Sequence, residues 1–198
     1  MKTLLQLAII VLFSTTLLAT EGINPGELSL TATGPNSFVL RIEKPLKTDL
    51  EVSIVDYAGE KLHHEILPTS TQVNKLYNLD ALPHGKYKLV VADVIIEATY
   101  EFELAKSLMI IDNQAEDIVY KPTVTTDAGV ATISYFNLKN RKLVVTVYDN
   151  RSQEVFSDVL KGEGLLEKRY DFTKLPKNSY ELVVSTGRHS VTREMALK

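Results

Sequence analysis

Hydrophobic and polar residues alternate along most of the chain after its first twenty residues. In "LEVSIVD", residues 50–56, the side chains of Leu50, Val52 and Ile54 fall on one side of an extended chain, and "KLVVTVYD", residues 142–149, repeats this order. A period of two is the signature of a β-strand, because successive side chains point to opposite faces. We find no convincing amphipathic helix in this part of the sequence. The pattern predicts an all-β protein.

The alternation, together with the turn residues between the runs, predicts two groups of seven short strands. The first group covers residues 27–32, 37–43, 50–56, 61–67, 73–79, 86–92 and 94–104. The second group covers residues 119–125, 130–136, 142–149, 153–160, 166–172, 179–185 and 189–197, after a short apolar strand within "SLMII", residues 107–111. Seven strands in roughly 90 residues are typical of a sandwich. We predict two tandem immunoglobulin-like (fibronectin-III-like) antiparallel β-sandwiches.

The two groups are copies of one domain. When the sequence is aligned with itself at an offset of 93 residues, 15 of the 55 pairs between residues 50–104 and 143–197 are identical. The similarity is clearest between "LDALPHGKYKLVV", residues 79–91, and "FTKLPKNSYELVV", residues 172–184. So long a period indicates duplicated domains rather than a solenoid. The predicted domains are residues 21–105 and 106–198.

The repeated phrase places a tyrosine at the same point of both copies, Tyr87 and Tyr180. Each follows a Leu-Pro pair and a turn, and each opens the next predicted strand. In sandwich folds a tyrosine at this point packs its ring on the core and donates its hydroxyl hydrogen to upstream backbone, an arrangement known as the tyrosine corner. We interpret both tyrosines as corners, and a ligand-stacking role is the less favoured alternative.

The N-terminal sequence "MKTLLQLAIIVLFSTTLLATEG" has the order of a secretory signal peptide, with Lys2 followed by an apolar stretch and small residues. We predict a signal peptide at residues 1–20, cleaved after Ala19 or Thr20. The alternative is a permanent membrane anchor, but Gln6 and the polar Ser-Thr-Thr step shorten the apolar stretch below a comfortable span. The mature protein is therefore expected to be secreted or periplasmic, without stable membrane insertion.

Composition supports an ordinary globular protein, since 44% of the residues are hydrophobic and 24% are charged. The net charge of −3 argues against nucleic acid as a partner. The chain has no cysteine, which excludes disulfides, thiolate metal sites and a lipid-modified N-terminal cysteine.

Few residues are candidates for chemistry. The acidic stretch "DNQAED" (Asp112–Asp117) offers closely spaced oxygen atoms for calcium, but it lacks the glycine of a calcium loop, and a solvated loop is the favoured interpretation. His63 and His64 are adjacent on a predicted strand, so they face opposite ways, while His84 lies in a turn and His189 at the start of the last strand. We assign no catalytic, cofactor-binding or metal-binding residues.

Most of each copy after its second strand resembles the C-terminal sorting domains of the Bacteroidetes type IX secretion system and related small secreted sandwich domains. The resemblance rests on "VSIVDYAG", residues 52–59, on the motif formed by Leu82, Gly85, Tyr87, Leu89 and Val91, and loosely on the basic final strand "VTREMALK", residues 191–198. The second copy departs from the motif, because Asn178 stands in place of the glycine. In that family a sorting domain follows a large cargo domain, and we expect no cargo here beyond the other copy.

The expected function is that of a non-enzymatic binding module. We expect contact with a protein or polysaccharide of the cell envelope or the extracellular space, or with a second copy of the chain. The resemblance implies an alternative, in which the C-terminal copy is a sorting domain read by the type IX export machinery.

Overall fold

The computed structural model describes residues 22–197, so the predicted signal peptide at residues 1–20 lies outside the described part of the chain. The described chain divides between Val119 and Tyr120 into two compact units. Each unit has a hydrophobic core of its own, and no residue belongs to both cores. Within residues 22–197, the only helical segment is a single 3-10 turn at Pro25–Glu27.

The first unit is an antiparallel sandwich followed by two short additional strands. Its strands are β1 (Leu28–Gly34), β2 (Ser37–Ile42), β3 (Leu50–Asp56), β4 (Lys61–Leu67), β5 (Asn74–Asn78), β6 (Gly85–Ala92), β7 (Ile96–Leu104), β8 (Met109–Ile111) and β9 (Asp117–Tyr120). One sheet has the order β1-β2-β5, and the other has the order β4-β3-β6-β7-β8, with β9 also paired to β7.

The second unit repeats this arrangement without the additional strands. Its strands are β10 (Thr123–Asp127), β11 (Val130–Asn137), β12 (Leu143–Tyr148), β13 (Glu154–Leu160), β14 (Gly164–Asp171), β15 (Ser179–Ser185) and β16 (Ser190–Ala196). The sheets have the orders β10-β11-β14 and β13-β12-β15-β16. In both units the fourth strand lies beside the third in the larger sheet, which is the fibronectin-III-like variant of the immunoglobulin-like sandwich.

The predicted alternation is visible in the cores. Leu50, Val52 and Ile54 on β3 are buried, as are Leu143, Val145 and Val147 on β12. Burial of these alternate side chains between two sheets stabilises each unit, because each apolar side chain removed from water contributes about 1.5–3 kcal/mol. The all-β tandem sandwich predicted from the sequence is confirmed.

The segment after β7 differs from its prediction. Residues 107–111 were expected to begin the second domain, but β8 pairs with β7 and the side chain of Met109 is buried in the core of the first unit. The chain reverses direction after β7, where the Ala105 amide donates to the Leu108 carbonyl. Residues 106–119 therefore extend the first unit, and the division lies 14 residues beyond the predicted boundary (119 − 105).

The strand predicted at residues 119–125 is divided into two pieces. β9 pairs with β7 of the first unit and ends at Tyr120, which is the first residue of the second unit, and β10 begins at Thr123. Pro122 lies between them and has no backbone N–H to donate to a sheet, which explains the interruption.

Candidate functional site

The two predicted tyrosine corners are present. The Tyr87 hydroxyl donates to the Pro83 carbonyl at 2.7 Å, and the Tyr180 hydroxyl donates to the Pro176 carbonyl at 3.0 Å. Both rings are buried in the core of their own unit. These bonds confirm the corner interpretation, because the hydroxyl groups are used to fix the turn before β6 and β15.

A second repeated arrangement joins the two sheets of the second unit. Asp158 lies on β13 of the larger sheet, while Lys168 and Tyr170 lie on β14 of the smaller one. The Asp158 carboxylate accepts a hydrogen bond of 2.6 Å from the Lys168 ammonium and one of 2.7 Å from the Tyr170 hydroxyl. The Lys168 Nζ also lies 5.6 Å from the centre of the Tyr170 ring, within range of a cation–π contact.

The first unit repeats the carboxylate–lysine pair and the cation–π contact of this arrangement at the equivalent positions. Glu65 on β4 is paired with Lys75 on β5, and the Lys75 Nζ lies 5.8 Å from the centre of the Tyr77 ring. His63 adds a contact of 3.4 Å from its Nε2 to the Glu65 Oε1. In the described chain the Tyr77 hydroxyl has no hydrogen bond of normal geometry. The carboxylate–lysine–tyrosine set thus closes the same side of both sandwiches.

The ionisation of these groups follows from burial and from their mutual contacts. Burial alone raises the pKa of Asp158, but the Lys168 ammonium and the Tyr170 hydroxyl outweigh it and hold that pKa below its usual range. The pKa of Glu65 is lowered in the same way, against burial, by Lys75 above all. Burial, followed by the adjacent carboxylate, raises the pKa of Tyr170 and of Tyr77. The carboxylates therefore stay charged and the phenols neutral at physiological pH.

This repeated set was not predicted from the sequence. Lys75 and Lys168 are identical at the repeat offset, but their partners Glu65 and Asp158 are only similar. Beside each set lies a further ring, which belongs to His63 in one copy and to Phe156 at the equivalent position of the other. Both rings stand edge-on to the tyrosine of their set. A search of the repeat for pairs of the same charge, rather than identical pairs, would have found it.

The acidic stretch Asp112–Asp117 is occupied with backbone and side-chain contacts to the first unit. The Asn113 Oδ1 accepts from the Leu30 amide at 2.5 Å, and the Asp112 Oδ1 accepts from the Gln114 amide at 2.8 Å. Glu116 forms an ion pair of 3.0 Å with Lys88. Asn113 and Glu116 thereby tie the segment to both sheets of the first unit, at β1 and β6, while the Asp112 bond is internal to the segment. No group of three or more His, Asp or Glu side chains suited to a metal ion occurs within residues 22–197.

The histidines do not converge on one site. His63 faces Glu65, whereas the His64 Nδ1 lies 3.0 Å from the Ser53 Oγ, so the adjacent pair points to opposite sides of β4 as predicted. His84 is exposed in the turn before β6, and His189 lies in the other unit, immediately before β16. The structure therefore places these side chains in separate surroundings.

An exposed apolar patch lies on the outer face of the smaller sheet of the second unit. Leu165 on β14 is directly opposite Phe136 on β11, and the ring of Tyr120 stands edge-on to Phe136 at 5.0 Å between centroids. Leu165 is 63% exposed, Phe136 39% and Leu138, in the following turn, 47%. We call Phe136, Leu138 and Leu165 the apolar patch.

A buried amide fixes the backbone beneath the apolar patch. The Asn137 side chain is fully buried, and its Nδ2 donates to the Arg141 carbonyl at 2.7 Å and to the Gly162 carbonyl at 2.6 Å. Its Oδ1 accepts from the Arg141 amide at 2.8 Å. Asn137 thereby ties together the turn that carries Leu138 and the loop that leads to Leu165, so the patch is presented on a rigid support.

No protein-family model matches the sequence, and no curated protein matches it. Among solved structures, the BSP domain of a biofilm-associated protein is similar, with a TM-score of 0.28 and 11% identity over 85% of this chain and 29% of its own. The FN1–FN3 domains of chicken CNTN1 are similar with a TM-score of 0.26 and 9% sequence identity, over 89% of this chain and 65% of their own. A segment of two fibronectin type III domains from chicken tenascin is similar with a TM-score of 0.25 and 13% sequence identity, over 85% of this chain and 97% of its own.

The chain spans less than two thirds of the length of the first two of these structures. TM-scores this low give no ground for transferring a function, so the proposals below rest on the residues of this chain. The strand order defines the class of protein as a tandem β-sandwich with fibronectin-III-like units. In the described residues, no helix is long and apolar enough to cross a membrane.

Proposed function

We propose that this chain is a non-enzymatic exported protein that acts by contact with another protein of the cell envelope or the extracellular space. The observation that carries the proposal is the apolar patch. Contiguous exposed apolar side chains on a soluble domain are typical of interaction sites, and aromatic residues are enriched in the centres of protein interfaces. Binding of a polysaccharide is less well supported, because the patch offers leucine side chains rather than hydrogen-bonding groups.

The polar residues favour the same conclusion by their positions. The two carboxylate–lysine–tyrosine sets and the buried Asn137 form hydrogen bonds within their own units. Side chains engaged in this way hold a scaffold, whereas a general acid or base needs access to a substrate. Phe136, Leu138 and Leu165 are then the exposed apolar side chains of the proposed contact site.

Export is the second part of the proposal. The N-terminal order of charge, apolar stretch and small residues supports cleavage near residue 20. The intact mass of the protein purified from its host tests this. A chain that begins near Glu21 supports export, and an uncleaved Met1 contradicts it.

The contact site is tested by placing a photo-activatable cross-linking amino acid at Leu165 in the full chain. The matched control position is Thr125, which is exposed on the outer strand β10 of the same sheet. The proposal expects a discrete cross-linked protein from position 165 in envelope or extracellular fractions, and none from position 125. Equal labelling from both positions, or none from either, contradicts the patch as a contact site.

A second candidate function is type IX sorting by the C-terminal copy. It is favoured by the corner motif and by the basic residues of the last strand, including Arg193. Fusion of residues 120–198 behind a periplasmic reporter in a host with this export system separates the two candidates. Delivery of the reporter to the surface supports sorting, and retention in the periplasm rules it out.

A further inference from the structure

The two units differ at the outer edge of the last strand of the sandwich. In the first unit, β7 is covered by residues 109–120, which return along it as β8 and β9. In the second unit, the equivalent strand β16 is at the edge of its sheet and pairs only with β15 among the described residues. An uncovered edge exposes a row of backbone N–H and C=O groups that can pair with another strand.

The register shows which backbone groups of β16 face outward. The Thr186 amide bonds to the His189 carbonyl, and the Leu197 amide bonds to the Asn178 carbonyl. Because hydrogen bonding alternates along an antiparallel ladder, the odd-numbered residues of β16 bond to β15. The N–H and C=O groups of the even-numbered residues, including Thr192 and Glu194, therefore point to the edge. The Thr192 carbonyl accepts a hydrogen bond of 3.0 Å from the Arg193 guanidinium of the same strand, so a segment that pairs with this carbonyl has to displace that side chain.

The first unit shows the same edge in its occupied form. The Thr99 carbonyl accepts from the Glu116 amide at 2.8 Å, and the Glu101 carbonyl accepts from the Asp112 amide at 3.4 Å. At the repeat offset of 93 residues, Thr99 corresponds to Thr192 and Glu101 to Glu194, and both pairs are identical. The backbone that binds residues 112–116 in one unit is thus repeated, with the same side chains, on the open edge of the other.

The charge beside the edge is reversed between the two units. In the first unit Lys88 is paired with Glu101 at 3.6 Å and with Glu116 of the covering segment at 3.0 Å. The residue equivalent to Lys88 is Glu181, which lies directly opposite Glu194 on the neighbouring strand. Like charges in this position repel each other, and Glu181 has no ion-pair partner within residues 22–197.

A shallow groove of about 190 Å³ lies at this place. Its lining contains three acidic side chains, Asp149, Glu181 and Glu194, and no lysine or arginine. Within residues 22–197, Glu194 accepts a hydrogen bond of 2.7 Å from the Ser179 hydroxyl. A cation placed here would relieve the repulsion that Lys88 prevents in the first unit.

We propose that the free edge of β16 binds an extended segment of a partner protein that carries lysine or arginine. The segment adds a strand to the larger sheet of the second unit through the outward groups of Thr192 and Glu194, and its basic side chain lies between Glu181 and Glu194. Strand addition of this kind takes affinity from backbone hydrogen bonds and specificity from side chains. The site lies on the other sheet from the apolar patch, so the two proposals stand independently.

A second copy of the chain is a poorer occupant of this edge. In a symmetric antiparallel pair of β16 strands, the residues with outward backbone groups would lie opposite the same residues of the other copy. These residues are Ser190, Thr192, Glu194 and Ala196. None of these side chains supplies a positive charge for Glu181 and Glu194. The charge pattern therefore favours a different, basic segment.

The test uses the full chain and two synthetic peptides with blocked ends, Thr-Val-Lys-Val-Lys-Val-Thr and the same peptide with glutamate in place of lysine. Binding is followed by NMR, up to millimolar peptide. The lysine peptide should bind and should shift the amide peaks of Thr192 and Glu194. The natural chain should bind the lysine peptide more tightly than the glutamate peptide. In the Glu181→Lys variant the ratio of the two affinities should change by about tenfold in favour of the glutamate peptide, because attraction to the lysine peptide is replaced by repulsion. The matched control is Glu167→Lys, an exposed position on β14 of the other sheet.

Three results would overturn the proposal. The first is no binding of either peptide, with the NMR spectrum showing a folded protein. The second is equal binding of both peptides, or an unchanged preference in the Glu181→Lys variant. The third is a dimer in sedimentation experiments without peptide that protects the amides of β16, because a second copy would then occupy the edge.

Discussion

The hydroxyl of Tyr170 donates a hydrogen bond of 2.7 Å to the carboxylate of Asp158, and in doing so joins the two sheets of the second sandwich. The two residues are 12 positions apart, on strands that are not paired with each other. Lys168 completes the contact from the same strand as the tyrosine. A sandwich is open along its sides, and this contact fixes the distance between its sheets on one of them.

Replacement of Tyr170 by phenylalanine should lower the free energy of unfolding of the second unit by about 1.5–3 kcal/mol, the usual range for a hydrogen bond to a charged group. Urea unfolding followed by the NMR peaks of each unit measures the effect. The control is Tyr148→Phe, at a half-buried tyrosine on β12. Equal effects of the two substitutions would show that the Asp158 contact does not stabilise the fold.

The stability of the second unit should depend on pH through Asp158. Because the pKa of Asp158 in the folded chain lies below its unfolded value of about 3.9, its contribution is fully present above that value. The contribution is lost as the pH falls through the folded pKa. The Asp158→Asn variant should therefore be less stable than the natural chain at neutral pH and should lose less stability on acidification.

Urea unfolding at several pH values between neutrality and the acid range checks this prediction. Asp127→Asn, at an exposed carboxylate beside a turn, is the control. An Asp158→Asn variant with the same acid dependence as the natural chain would exclude Asp158 as the responsible group.

The two tyrosine corners should contribute similar amounts. Tyr87→Phe and Tyr180→Phe each remove one hydroxyl-to-carbonyl bond and should each cost about 1 kcal/mol in their own unit. Tyr57→Phe is the control, since Tyr57 is 71% exposed. No measurable change in either corner variant would remove the stabilising role of these bonds.

The buried Asn137 should be among the most sensitive positions. Asn137→Ala removes three hydrogen bonds to backbone groups of Arg141 and Gly162, and at roughly 1 kcal/mol each the loss is about 3 kcal/mol. Asn140→Ala, at an exposed position of the same turn, is a comparison for the loss of an amide. Because Asn140 has a positive φ of 48°, its replacement also strains the backbone, so an Asn137 effect smaller than the Asn140 effect would contradict the assignment.

Much of the fold could be predicted from the sequence, because alternation and turn residues act locally. The strands at residues 50–56, 61–67 and 179–185 begin and end where the pattern placed them. The duplication then indicated that both halves share one architecture. The tyrosine corner was also predictable, since its donor and acceptor are four residues apart.

The placement of the apolar triplet Met109–Ile111 could not be predicted, because an alternating pattern does not say which strand a short segment will pair with. That choice is made by the free edge of β7 and by the room for Met109 in the first core. The position of the apolar patch could be predicted in part from the sequence. Phe136 is out of phase with the buried Ile133 and Tyr135, so its position in the alternation places it on the outer face.

The claim most central to this account is that the chain consists of two self-contained sandwiches, and the unfolding of residues 120–198 alone tests it most directly. The fragment of residues 120–198 contains a complete core and its own Asp158–Lys168–Tyr170 set. We predict a single cooperative urea transition with dispersed NMR peaks, destabilised by Tyr170→Phe as in the full chain. A broad transition with collapsed, poorly dispersed peaks would contradict the account and would show that the two halves form one continuous structure.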